Sequence, residues 1–451
     1  MLAKRENAVL AKVDLDKRFL ALGMTVPRVL LPAPGVDPTR WAVIACDQFT
    51  SEPEYWKRVD GFVGAAPSTL SLILPEVYLG TVEEERRTAA IRPAMESYLD
   101  RGIFSEQGPL LVLVKRSTPY APCRWGLVAA LDLERYDFRP GARTLIRATE
   151  GTIVERLPPR QAIRRGAPFE LPHIMVLYDD PHQSVLSPLL GAEGSFDRLY
   201  DFDLMTNAGH LTGYRVEAPR LLEGIAAAFE RLADRDAFRA RYGSPDPLLF
   251  AVGDGNHSLA AAKELWEETK LSEGLTGAEI HPARFALVEL VNLHDPGLTF
   301  HPIHRLLFGG GEELLRRLGA DREVRVGPCE DEALMRSAIS STGHRIGWVG
   351  PEGCGIISWE HPRRSIAAAS VQEYLDRFLA EHPETRIDYI HGEETVERLA
   401  RTPGNLGLLL PPIERSEFFS TVIRDGAFPR KTFSMGEALE KRFYLEARRI
   451  R

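Results

Sequence analysis

Apolar positions along the chain follow two rhythms. Short unbroken apolar runs of strand length alternate with stretches whose apolar residues recur at helical spacing. The runs predict strands at Trp41–Cys46, Pro109–Lys115, Trp125–Leu133, Ile174–Tyr178, Leu248–Val252 and Phe285–Leu293. The helical spacing predicts helices at Glu54–Val63, Glu83–Arg101, Leu221–Leu232 and Ser258–Lys270, with Gly102 stopping the second. A turn at Thr118-Pro119-Tyr120 joins two of the strands. Strands and helices mixed in this way along the whole chain imply an α/β (mixed α+β) fold.

Pro/Gly clusters punctuate the pattern at Arg139-Pro140-Gly141 and Gly309-Gly310-Gly311. They divide the chain into an N-terminal α/β region at 1–140, a central region at 141–305 and a C-terminal α/β region at 306–451, or mark loops inside one continuous unit. No internal repeat or low-complexity tract interrupts the 451 residues.

Composition narrows the class. Hydrophobic residues make up 44% and charged residues 27%, enough to build a sizeable core and too apolar for wholesale disorder. The net charge of -8 and the lack of a basic, aromatic stripe argue against a nucleic-acid partner and make a nuclease the least favoured activity. No run approaches about 18 apolar residues, so no membrane span is expected, and the charged N-terminus lacks the apolar stretch of a signal peptide. The four cysteines, Cys46, Cys123, Cys329 and Cys354, form no C-x-x-C pair. They suit a reducing cytoplasm and no zinc cluster.

The segment richest in chemistry runs from Leu248 to Lys263. An apolar strand leads into Gly253-Asp254-Gly255-Asn256-His257-Ser258, and a helix follows with Leu259, Ala262 and Trp266 on one face. Asn256 or Ser258 is placed to cap that helix. Glycines permit close backbone approach, and a helix N-terminus attracts anions, so the segment reads as a phosphate cradle. An ordinary Asp-Gly turn with an Asn cap has the same composition. The segment is neither G-x-G-x-x-G nor a Walker loop.

The same segment resembles the Asp-Gly-His-His-Arg motif of the domain-of-unknown-function family 1015. Three further blocks extend the likeness over most of the chain: Val43 to Trp56, Leu171 to Pro181, and Phe428-Pro429-Arg430-Lys431-Thr432-Phe433-Ser434-Met435. That family's signature is similar to motifs of the ParB/sulfiredoxin-like superfamily, where a helix N-terminus and the motif His bind nucleotide phosphates, and a related archaeal enzyme is an ADP-dependent free-serine kinase. The resemblance therefore implies a ParB/sulfiredoxin-like core and nucleotide-linked phosphoryl chemistry on a small molecule. His257 matches the second motif His, while Asn256 replaces the first and Ser258 stands where Arg is usual. Losing that Arg removes a bidentate phosphate clamp, so cations elsewhere must supply the charge. Arg147, Arg430 and Lys431 are nominated for it, each against the alternative of a solvated basic residue.

Asp47 follows a predicted strand and Glu150 lies among arginines; either carboxylate would serve as proton acceptor, or as a helix cap or surface ion pair. Asp179 and Asp180 read as a turn. His301-x-x-His304 lacks the glutamate of a zinc-protease pattern.

With these residues, the resemblance implies a small-molecule phosphotransferase, and by analogy with the related kinase its substrate is expected to be serine or a similar polar metabolite. Gly253, Gly255, Asn256 and Ser258 would hold the phosphates of ADP or ATP, Asp254 would hold Mg²⁺ or orient the donor, His257 would donate to a phosphate oxygen, and Asp47 or Glu150 would take the hydroxyl proton. Two alternatives stand beside it: a phosphatase of phosphoserine or a similar phosphomonoester, and a nucleotide-binding regulator without turnover. Zinc, haem and flavin are not expected. The partner expected is a small-molecule substrate rather than nucleic acid or membrane, and a homo-oligomer stays open.

Overall fold

A strand covered on both faces needs apolar residues at nearly every position. Phe285–Asn292 and Arg124–Asp132 are buried along almost their whole length. They pair antiparallel in the middle of a ten-stranded mixed sheet. The computed structural model describes residues 2–340 and 343–451.

By contacts the chain divides into two compact units. The first comprises residues 1–148, 152–298 and 437–451, and the second 149–151 and 299–436. The first unit therefore runs through position 140. Ile146–Ala148, just beyond the Pro/Gly cluster, pair with Tyr136–Asp137 on one side and Phe250–Val252 on the other.

The strands of the first unit's sheet are β1 (Met24–Thr25), β2 (Leu111–Ser117), β3 (Arg124–Asp132), β4 (Tyr136–Asp137), β5 (Ile146–Ala148), β6 (Met175–Tyr178), β7 (Arg198–Asp203), β8 (His210–Val216), β9 (Phe250–Asp254) and β10 (Phe285–Asn292). Their order is β7-β8-β2-β3-β10-β6-β9-β5-β4, with β1 beside β3. Alternate side chains enter two cores, one on each face. Leu113, Leu127 and Val252 meet Phe229, Leu259 and Trp266 on one face. Val112, Val114 and Val128 meet Trp41, Trp56 and Met95 on the other.

The helices that matter for the site are α1 (Pro53–Val63), α2 (Glu84–Asp100), α3 (Pro158–Arg164) and α4 (Asn256–Glu273). The strand expected at Trp41–Cys46 is shorter than its apolar run. Pro38–Trp41 form a helical turn capped by Asp37, whose carboxylate accepts from the Thr39 N–H at 3.0 Å. Only Val43–Ile44 extend, pairing with Phe443–Tyr444. Proline at the first helical position, preceded by an Asp cap, outweighs the apolar pattern there.

The second unit holds a seven-stranded sheet. Phe300–Phe308 lies between Asn405–Leu409 and Arg386–His391. Its core includes Leu306, Val349, Val396 and Leu409. Among the described residues no helix is long and apolar enough to cross a membrane.

Candidate functional site

The expected passage from strand to helix occurs at the Gly-Asp-Gly turn. β9 runs through Asp254, one turn residue follows, and α4 begins at Asn256. The cap is Gly255 rather than Asn256 or Ser258. Gly255 is left-handed at φ 79° and offers no side chain to the helix. A Cβ there would stand 3.0 and 3.1 Å from Ile174 atoms, so both the conformation and the space require glycine. Asn256 instead turns its amide toward the Val252 carbonyl at 3.4 Å.

Asp254 faces two ways. Its Oδ1 accepts from the Gly255 N–H at 2.8 Å, and its Oδ2 lies 3.2 Å from Lys441 Nζ. Lys441 is buried. It reaches this point because Phe443–Tyr444 pair with Val43–Ile44, which sets the C-terminal segment beside the Asp47 loop.

That loop is held firmly. Phe49 is left-handed at φ 54° and stacks on Tyr55 with ring centroids 3.8 Å apart. The Gln48 carbonyl accepts from the Trp56 indole at 3.2 Å. Burial pushes the Asp47 carboxyl upward, but the Gln48 amide, Lys441 and Arg160 act against it and the group lies below the ordinary carboxylate range. Asp47 is therefore ionised at neutral pH. Its neighbour Cys46 goes the other way. Burial and the Asp47 charge push the thiol up to about 12, so it stays protonated and is a poor nucleophile.

Under the loop lies a cavity of about 110 Å³. Leu72, Leu74, Ile163 and Phe169 make its apolar wall, and Ser258, Arg160, Arg164 and His173 contribute polar groups. Arg160 pairs with Glu76, and Arg164 with Glu170. Ser258 thus brings the first turn of α4 to the cavity wall.

His257 serves a backbone partner. Its Nε2 accepts from the Ile153 N–H at 3.2 Å, which places the ring proton on Nδ1. Arg147 is buried on β5, with Nε on the Thr144 carbonyl at 2.8 Å and Nη2 on the Asp246 and Pro247 carbonyls at 2.9 and 3.3 Å. Burial lowers it to about 10. These bonds tie down a chain bend and spend donors that a phosphate would need.

Asp47, Arg147, Gly253, Asp254, Gly255, Asn256, His257 and Ser258 belong to the first unit, and Glu150, Arg430 and Lys431 to the second. In that unit Glu150 bridges Phe428, Arg430 lies over the Tyr389 ring at 5.4 Å, and the Lys431 carbonyl accepts from Arg305 at 2.8 Å. His304 accepts the Leu410 N–H at 3.0 Å and is pushed down to about 4, chiefly by burial, as befits a structural histidine. Asp180 accepts the Val185 N–H at 2.9 Å, the turn expected of it, while Asp179 takes His294 at 2.6 Å and Arg241 at 2.7 Å.

Residue patterns alone did not single out Lys441, Arg160 or Tyr444. Nothing local to the sequence marks them, since long-range strand pairing and α3 bring them in. His173 had a signal, the Leu171-Pro172-His173-Ile174 block, but no role attached to it.

Solved structures resemble this chain at low similarity. A conserved hypothetical protein from Pyrococcus furiosus has a TM-score of 0.36 at 11% identity, covering 70% of this chain and 94% of its own. SbnI from Staphylococcus aureus, truncated at its C-terminus, has a TM-score of 0.36 at 10% identity, covering 68% and 82%. A free serine kinase in complex with AMP has a TM-score of 0.36 at 12% identity, covering 70% and 90%. No residue role follows from likeness at this level. No curated protein matches the sequence. The family described as "Protein of unknown function (DUF1015)" matches residues 30–378, well over half of the sequence, and the chain belongs to that family, the domain-of-unknown-function family 1015.

Proposed function

We propose that the first unit is a nucleotide-linked phosphotransferase acting on the hydroxyl of a small polar metabolite, with serine as the leading substrate. The observation that carries the reading is the convergence of Asp47, Lys441 and Asp254 beside the first turn of α4, above a cavity with an apolar wall. In this reading the nucleoside enters the cavity. Its phosphates meet the Gly253–Ser258 turn, where backbone N–H groups and the helix dipole favour anions. His257 stands in the first turn of α4 and donates to a phosphate oxygen in this reading.

Asp47, ionised and held in a rigid loop, accepts the substrate hydroxyl proton. The hydroxyl oxygen forms a bond to the transferred phosphorus, and the bond from phosphorus to the nucleotide's leaving oxygen breaks with its electron pair on that oxygen. Lys441 neutralises charge on the departing side. Such transfer depends on positioning and charge stabilisation more than on a strong base. A single carboxylate at the phosphate turn fits Mg²⁺, which binds one or two carboxylates together with phosphates. Asp254 would hold it through Oδ2, releasing Lys441 to the phosphates; bound there, the ion would supply charge neutralisation.

Calorimetric titration with ADP and ATP tests the reading. The wild type should bind, and Lys441→Met should weaken binding by roughly 10- to 150-fold, as expected for a charge-assisted contact. His257→Ala should weaken it as well. Absence of nucleotide binding, together with phosphate release from phosphoserine, would replace the kinase reading by a phosphatase.

A further inference from the structure

His173 is buried, with only 5% of its surface exposed, and it lines the cavity. Its two ring nitrogens are in different situations. Nδ1 lies 2.8 Å from the Tyr444 hydroxyl. The hydroxyl oxygen also accepts the Cys46 backbone N–H at 3.4 Å; with the ring neutral and its proton on Nε2, the hydroxyl hydrogen donates to Nδ1. Burial keeps the Tyr444 phenol protonated, which preserves this donor. An Nδ1 that accepts leaves the ring proton on Nε2. Nε2 has no hydrogen-bond partner among the described residues. It lies 3.9 Å from Asp47 Oδ2, too far for a direct bond.

A buried donor without a partner is costly, and sites that carry one call for an explanation. A separation of 3.9 Å is one that a single oxygen, about 2.8 Å from each atom, can bridge. A hydroxyl suits it: its oxygen accepts from Nε2–H, and its hydrogen goes to the carboxylate.

We propose that His173 is a catalytic residue that contacts the substrate: its Nε2–H, oriented by Tyr444, and the Asp47 carboxylate together clamp the hydroxyl oxygen that attacks the phosphoryl group. The proposal rests on the phosphotransfer reading and adds the substrate side of the site. The hydroxyl is then fixed before transfer, with its proton on the line to Asp47. Tyr444 is a positioning residue that selects the ring tautomer.

Two substitutions separate this role from packing. His173→Asn keeps an acceptor near Nδ1 for Tyr444 and removes the Nε2 donor. His173→Gln places an amide N–H near the lost Nε2. Calorimetry with L-serine as the probe, and separately with ADP, is expected to show about a tenfold loss of serine affinity in His173→Asn, partial rescue in His173→Gln, and ADP affinity unchanged within about twofold. Nitrogen-15 NMR of histidine-labelled wild type should report the Nε2–H tautomer at His173, and Tyr444→Phe should shift it. Unchanged serine affinity in a folded His173→Asn protein, no serine binding in the wild type, or an Nδ1–H tautomer would each overturn the proposal. A wild type that binds serine but no nucleotide would sink the phosphotransfer reading and leave the His173 clamp standing.

Discussion

Lys441 Nζ lies 3.2 Å from Asp254 Oδ2, and the same ammonium helps hold Asp47 ionised. One buried cation from the C-terminal segment therefore serves a carboxylate at the end of β9 and another in the loop after Ile44.

Replacing that cation by an apolar side chain of similar length should be costly. Lys441→Met leaves two carboxylates without their shared partner, and the loss should be about 1–3 kcal/mol, moderated by solvent reaching Asp254. Urea unfolding at pH 7 measures it. The double substitution Lys441→Met with Asp254→Asn should recover part of the loss, because it removes one of the stranded charges.

Gly255 carries a different kind of demand. Alanine there must adopt φ 79° and push its Cβ against Ile174 at 3.0–3.1 Å. The conformational term alone is about 1–2 kcal/mol, and the contact adds to it. Gly255→Ala should therefore unfold at lower urea than wild type by at least that amount, whereas Gly274→Ala at the other end of α4 meets open space and should cost only the conformational term.

The strand and helix around this turn were legible because each buries a continuous face. Phe250, Ala251 and Val252 form an apolar run, and Leu259, Ala262 and Trp266 repeat at helical spacing. The cap was not, since Asn256 and Ser258 are good capping types and only the closeness of Ile174 explains why glycine takes the position. The site's cation was also hidden. Lys441 sits in no motif, and its position depends on two residues of strand pairing between distant segments. Arg147 shows the opposite case. A basic stretch looks like an anion site in sequence, but burial turned this guanidinium to backbone carbonyls.

His304 predicts a pH dependence of stability in the second unit. Its pKa falls from 6.5 to about 4, with burial as the main cause and Arg305 and His391 adding to it. Below pH 6.5 the unfolded chain takes up a proton that the folded chain refuses until about pH 4. Stability should fall across that window and level off beneath it, by on the order of 3 kcal/mol for this group. His304→Asn keeps an acceptor for the Leu410 N–H and removes the titration, so its stability profile between those pH values should be flatter than that of the wild type. Urea midpoints measured through the window check the sign and the size.

In the proposed transfer Asp47 is the proton acceptor beside a bound nucleotide. Phosphorus-31 NMR of the protein with ADP, Mg²⁺ and L-serine, and in a parallel sample with ATP, follows the transfer directly. A phosphoserine resonance should grow in step with nucleotide loss in one of the two samples, and Asp47→Asn should transfer at a rate lower by about 10²–10⁴-fold, the usual range for removing a general base. Nucleotide resonances that stay constant in both wild-type samples, or a folded Asp47→Asn protein that transfers at the wild-type rate, would contradict it.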